Sequence, residues 1–127
     1  NRRPVFSEGS DRKLRILVAE DNDSNYSLVK HILKEYQITR VVNGVEAVEK
    51  VRDEEFDIVL MDMKMPIMGG LEATRKIREL NPIIPIIALT ANAFDADRVS
   101  AMEAGCNAFL TKPLKKEELL ELFSFKL

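Results

Sequence analysis

Asp62 closes an apolar run, Phe56-Asp57-Ile58-Val59-Leu60-Met61, and is followed by Met63-Lys64-Met65-Pro66. Five of the six residues before it are apolar, which reads as a strand buried on both faces. A carboxylate at the tip of such a strand is costly unless a cation meets it. Two more acids, Glu20 and Asp21, end an earlier apolar run, and Lys112 follows a later one. Three acids and one lysine at strand tips are the parts of a metal-assisted phosphate site. Unpaired carboxylates about 4 Å apart repel by about 4 kcal/mol at an effective dielectric near 20, so such a site takes up a proton or a cation. Three carboxylates against one ammonium leave a surplus that one divalent cation cancels. The candidate ligands are oxygens, with no histidine or cysteine beside them, which favours Mg²⁺ over zinc. A carboxylate beside Mg²⁺ can attack phosphorus. Lysine and metal would neutralise the oxygens of the moving phosphoryl group, and the Thr90 hydroxyl could donate to one of them. The product would be an aspartyl phosphate, a short-lived acyl phosphate suited to a timed signal.

The elements that must carry these residues alternate along the chain. Leu14 to Ala19 reads as a strand, and Asn22, Asp23 and Ser24 can each cap the helix after it. That helix repeats apolar residues at Leu28, Val29, Ile32 and Leu33. Ile38 to Val42 is a shorter, less apolar strand, suited to a sheet edge. Asn43-Gly44 reads as a turn before a helix with Ala47, Val48 and Val51 on one face. Ile58 to Met61 is the third strand, and Gly69-Gly70 precedes a helix carrying Leu71, Thr74, Ile77 and Leu80, stopped by Asn81-Pro82. Pro85 to Leu89 is the fourth strand, ending at Thr90. A polar helix from Phe94 to Ala104 is closed by Gly105. Ala108-Phe109-Leu110 is the fifth strand, and Thr111-Lys112-Pro113 turns into a last helix with Leu119, Leu122 and Phe123. Five strand–helix units predict a parallel sheet covered by helices on both faces. Ligands of such sheets sit beyond the carboxyl ends of the strands, where Glu20, Asp21, Asp62, Thr90 and Lys112 all fall.

The chain has 127 residues, 46% hydrophobic and 31% charged, with a net charge of −2. That is room for one ordinary domain, with no basic stripe for nucleic acid and no apolar run near the roughly 20 residues of a membrane span. A signal-peptide core is absent. The single cysteine, Cys106, excludes an internal disulfide and fits a reducing, cytoplasmic setting. The sequence opens at Asn1, as expected of a cut from a longer polypeptide. Residues 1–12 read as a linker or tag remnant, and 13–127 as the domain. His31 reads as a solvated helix residue and Lys115-Lys116-Glu117-Glu118 as a solvated helix start. Cys106 and the methionines around Asp62 read as packing residues.

Taken together, Glu20-Asp21, Asp62 with Met65-Pro66 and Gly70, Ala88-Leu89-Thr90-Ala91, and Lys112-Pro113 resemble the receiver domain of two-component response regulators, over residues 14–125. The resemblance implies a flavodoxin-like fold with strand order 2-1-3-4-5. It implies Asp62 as phospho-acceptor, Asp21 as a direct Mg²⁺ ligand, Glu20 as a ligand through water, and the Lys64 backbone carbonyl as a further ligand. It also implies Thr90 as the switch hydroxyl, Lys112 as the phosphate-pairing lysine, Phe109 as the aromatic switch, and a cis Lys112-Pro113 bond. Ala19-Glu20-Asp21-Asn22 with Asn25, and Ala88 to Phe94, resemble the receivers of hybrid sensor histidine kinases. The implied partners are a histidine kinase domain, in the same or a separate chain, and a histidine phosphotransfer protein. No nucleic acid or membrane contact by the domain itself is implied, and the expected state is a monomer or weak dimer. The parent would be a cytoplasmic protein or the cytoplasmic part of a membrane-bound sensor. Three positions depart from the pattern: Gly69 where Asp is frequent, Lys64 as a second rim cation, and Phe109 where Tyr is frequent.

Three other readings compete. A separate response regulator would carry the same domain. An aspartate-nucleophile phosphohydrolase would place a second Asp at the position of Lys64, and no independent enzyme is expected here. A receiver that binds without phosphorylation would not need the complete acid–lysine set. Neither GxxxxGK[ST] nor GxGxxG occurs, which sets aside a nucleotide switch.

Overall fold

A computed structural model describes residues 14–91 and 95–124. Five strands and five helices alternate: β1 (Arg15–Ala19), α1 (Asp23–Ile32), β2 (Gln37–Val41), α2 (Gly44–Asp53), β3 (Ile58–Asp62), α3 (Gly70–Leu80), β4 (Ile86–Thr90), α4 (Asp95–Ala104), β5 (Ala108–Thr111) and α5 (Lys116–Ser124). All pairings are parallel, in the order β2-β1-β3-β4-β5. The expected α/β architecture and strand order are therefore present, with β2 on an edge. The linker expected over residues 1–12 and the Asn92-Ala93-Phe94 part of the helix motif lie outside the described residues.

The period-two alternation of the strands divides the core into two layers. On one side Ile16, Val18, Ile58, Leu60, Ile87 and Leu89 pack under α1 (Val29, Ile32) and α5 (Leu119, Phe123). On the other, Leu17, Ala19, Val59, Met61, Ile86 and Ala88 meet α2 (Ala47), α3 (Ala73, Ile77) and α4 (Ala101). Every residue of β3 and β4 is buried, because both strands are central and covered on both faces.

Details differ from the sequence reading. Leu28 and Leu80 stand 37% and 47% exposed, since each lies at the margin of its helix stripe; Val29, Ile32 and Ile77 make the buried contacts instead. Asn43-Gly44 is a helix start and not a separate turn. Asn43 Oδ1 accepts from the Glu46 amide at 2.9 Å, and Glu46 Oε1 accepts from the Val42 amide at 2.9 Å, a reciprocal cap. Gly44 is required there by close approach. Its amide donates to Met68 O at 2.8 Å, and a Cβ would lie 2.6 Å from that oxygen. Gly105 has φ +119° and ends α4 as expected. The Lys112-Pro113 bond is cis.

Candidate functional site

The carboxyl ends of β1, β3, β4 and β5 converge on one cleft of about 270 Å³. Strand register sets the convergence: Ala19 lies beside Met61, Asp62 beside Leu89, and Thr90 beside Thr111. Glu20 and Asp21 emerge just past β1, Asp62 and Thr90 end β3 and β4, and Lys112 follows β5. The Lys112 amide donates to Thr90 O at 2.7 Å, which fixes where its side chain starts.

From there the Lys112 ammonium reaches both buried acids, 2.9 Å from Glu20 Oε1 and 3.1 Å from Asp62 Oδ2. The other oxygen of each acid is held by main chain. Glu20 Oε2 accepts from the Asn22 amide, and Asp62 Oδ1 accepts from the Lys64 amide, each at 3.2 Å. Glu20 is fully buried, yet its Oε1 has no aligned hydrogen-bond donor despite the nearby ammonium. The ammonium 2.9 Å away is the one cation that oxygen meets among the described residues, and a carboxylate oxygen keeps lone-pair capacity to accept more.

Burial pushes the Asp62 carboxyl up to about 6, helped by the Glu20 carboxylate beside it and opposed by Lys112. For Lys112, burial acts downward, but Glu20 and Asp62 outweigh it and hold the ammonium above its ordinary value. Burial is the main cause for Asp62, and the Glu20 contribution to it together with the rise at Lys112 reflects two acids sharing one ammonium. Asp21 completes the set, with one carboxylate oxygen from each of Glu20, Asp21 and Asp62 within 4.8 Å of one another. An all-oxygen group of acids, an acceptor oxygen without an aligned donor and an open cleft together fit a hard divalent cation such as Mg²⁺.

Glu20, Asp21, Asp62, Lys64, Thr90 and Lys112 all line the cleft. Phe109 does not; it is half-buried on β5, against the α2/α3/α4 layer, with Arg98 5.5 Å from its ring centroid. Asn22, which holds Glu20, and Arg40, which ties the β1 end to β2, were not identified as site residues from sequence. Asn22 carries a cap signal that could have pointed to it, since its own Oδ1 accepts from the Asn25 amide at 2.9 Å. Arg40 carries none, because its contacts are with Glu20, Asp23 and Tyr26, far from it along the chain. The bland readings hold elsewhere. His31 and Lys115 to Glu118 are exposed, and Met61 is buried while Met63, Met65 and Met68 pack on the core. Cys106 is buried with Sγ 3.8 Å from Thr74 Oγ1, and burial raises its thiol pKa.

Known proteins resemble this chain in sequence and fold. A family model described as the response regulator receiver domain matches residues 16–124. The autoinducer 2 sensor kinase/phosphatase LuxQ of Vibrio vulnificus (strain YJ016) is 41% identical over 126 residues, covering 96% of this chain and 14% of that protein. The sensor protein EvgS of Escherichia coli (strain K12) is 40% identical over 109 residues, covering 84% of this chain and 9% of that protein. The chain thus spans a small fraction of these relatives. Among solved structures, the receiver domain of sensor histidine kinase PA1611 from Pseudomonas aeruginosa PAO1 superposes with TM-score 0.84 at 37% identity, covering 90% of this chain and 97% of that one. That structure holds a magnesium ion coordinated in its active site cleft. A CheY-like receiver domain from Methanospirillum hungatei JF-1 gives TM-score 0.83 at 30% identity, with 90% and 93% coverage. Among the described residues, no helix is long and apolar enough to cross a membrane.

Proposed function

The chain belongs to the response regulator receiver family of two-component systems, and from that premise we propose that it accepts a phosphoryl group on Asp62 from a phosphohistidine. The observation that carries this reading is the Lys112 ammonium held against both Glu20 and Asp62 at the mouth of one cleft. Asp21, Asp62 and the Lys64 carbonyl would hold Mg²⁺, with Glu20 acting through water. When bound, the ion supplies positive charge for the phosphoryl oxygens.

The residues of the chain divide the remaining work. Lys64's amide fixes one oxygen of Asp62, which leaves Oδ2, beside Lys112, to attack phosphorus. A bond forms between Asp62 Oδ2 and phosphorus as the phosphorus–nitrogen bond to the donor histidine breaks, and that nitrogen keeps the electron pair. Lys112 then pairs with a phosphoryl oxygen, and Thr90, at the end of β4, donates its hydroxyl to another. Movement of Thr90 toward the phosphate, with Phe109 following, shifts the balance between two states of the α4–β5–α5 face. A phosphohydrolase role is disfavoured, since Lys64 stands where a general acid is needed.

Identity to sensor kinases supports residues 13–127 as a receiver joined through residues 1–12 to a histidine kinase core. The onward acceptor would be a histidine phosphotransfer protein, and the domain would lie on the cytoplasmic side. Incubation with Mg²⁺ and acetyl phosphate, followed by intact-protein mass spectrometry, is expected to add one phosphate that Asp62→Ala lacks. An unmodified wild-type protein, or an adduct surviving in Asp62→Ala, overturns the reading.

A further inference from the structure

We infer that Arg40 is a positioning residue for the acidic end of β1, holding Asp21 where a divalent cation binds. The inference rests on the metal-assisted reading of the cleft proposed above. Arg40 sits on the edge strand β2 and does not line the cleft. Its side chain nevertheless makes three contacts around Asp21. Nε donates to the Glu20 carbonyl at 3.0 Å, Nη2 donates to Asp23 Oδ1 at 2.8 Å, and the guanidinium carbon lies 4.5 Å from the centroid of the Tyr26 ring. Glu20 and Asp23 bracket Asp21 in the chain, so one rigid planar group ties down both sides of it. The Tyr26 face fixes the plane of that group. Glu20 is attached to β2 a second time, since its amide donates to Val41 O at 3.0 Å.

Asp21 needs such support more than the other acids do. The carboxylates of Glu20 and Asp62 are each held by Lys112 and by a main-chain amide. Asp21 is exposed, and among the described residues no hydrogen bond or ion pair holds its carboxylate. Its placement comes from the backbone alone, and that backbone is braced by Arg40 from β2 and by Glu20 Oε2, which accepts from the Asn22 amide. Pairing with Arg40 also turns Asp23, a fourth acid beside the cluster, toward β2.

Charge and geometry make opposite predictions for removal of Arg40. Its positive charge alone would weaken cation binding, so losing it would strengthen binding. Its brace would strengthen binding, so losing it would weaken binding. The experiment is calorimetric titration of Mg²⁺ into the wild-type protein, Arg40→Gln, Arg40→Lys and Asp21→Asn, with urea midpoints measured alongside. Both Arg40 variants are expected to bind Mg²⁺ about tenfold more weakly, the loss typical when a partner orienting a metal ligand is removed. Lysine keeps the charge but cannot bridge Glu20 and Asp23 as a fork. Wild-type or tighter binding by Arg40→Gln overturns the inference, and so does wild-type affinity in Arg40→Lys. A merely structural role would move the urea midpoint and leave Mg²⁺ affinity in place. If the wild-type protein fails to bind Mg²⁺, or Asp21→Asn binds equally well, the metal reading itself fails and takes this inference with it.

Discussion

Asp62→Asn should make the metal-free protein more stable. The Asp62 carboxyl rises from 3.8 to about 6 because it is buried beside Glu20. At about 1.4 kcal/mol per tenfold change in proton affinity, ionised Asp62 costs the fold about 3 kcal/mol. An asparagine keeps the shape and removes the charge, and leaves Lys112 paired with Glu20. Burying the amide offsets part of the gain, by about 1 kcal/mol, so the net stabilisation is about 2 kcal/mol near neutral pH. The sign with pH follows from linkage. The folded carboxyl binds its proton more tightly than the unfolded one, so the fold carries the extra proton between the two values. Stability contributed by this group is therefore lost as pH rises through that window, fully so above about 6 and not at all below about 4. The wild type should fall behind Asp62→Asn as pH rises and overtake it, by about 1 kcal/mol, toward about pH 4. Urea denaturation in EDTA, followed by far-UV circular dichroism since the chain has no tryptophan, measures the difference. An Asp62→Asn protein no more stable than wild type at neutral pH would refute the reasoning. A difference that stays constant across the pH range would refute it equally.

Three other outcomes are expected. Ile67 sits at φ 71° and is 83% exposed; left-handed backbone costs a β-branched residue about 1–2 kcal/mol, so Ile67→Asn should raise the urea midpoint by an amount corresponding to about 1 kcal/mol. Gly44→Ala should destabilise by about 1–3 kcal/mol although alanine is the better helix former, because the new methyl meets Met68 O at 2.6 Å; a thermal melt showing stabilisation would contradict that contact. Cys106 should react slowly with a disulfide reagent in the native protein and fast in denaturant, since burial both covers the thiol and raises its pKa, and absorbance of the released thiolate follows the difference.

Much of this molecule is legible in its linear pattern. Central strands β3 and β4 are unbroken apolar runs because both faces are covered, and Asp62 and Thr90 stand out as the polar residues that end them. The alternation of strands and helices by itself puts five polar residues at one edge of a sheet. The helix margins were less clear. A stripe of apolar residues has no sharp border, so Leu28 and Leu80 looked like Val29 and Ile77.

The residues themselves therefore determined the classes of element and the edge at which the chemistry gathers, because burial imposes a period of two on strands and a longer one on helices. Strand order was a different matter. Periodicity carries no information about which strands are neighbours, and the order 2-1-3-4-5 came into the reading only through resemblance. That order puts β1 beside β3 and lets Lys112, past β5, touch Glu20 and Asp62 together. It also puts β2 on the edge, from which Arg40 can reach around the end of β1. Contacts between residues distant in the chain depend on distances and angles across packed strands, and those exist only once the sheet has formed.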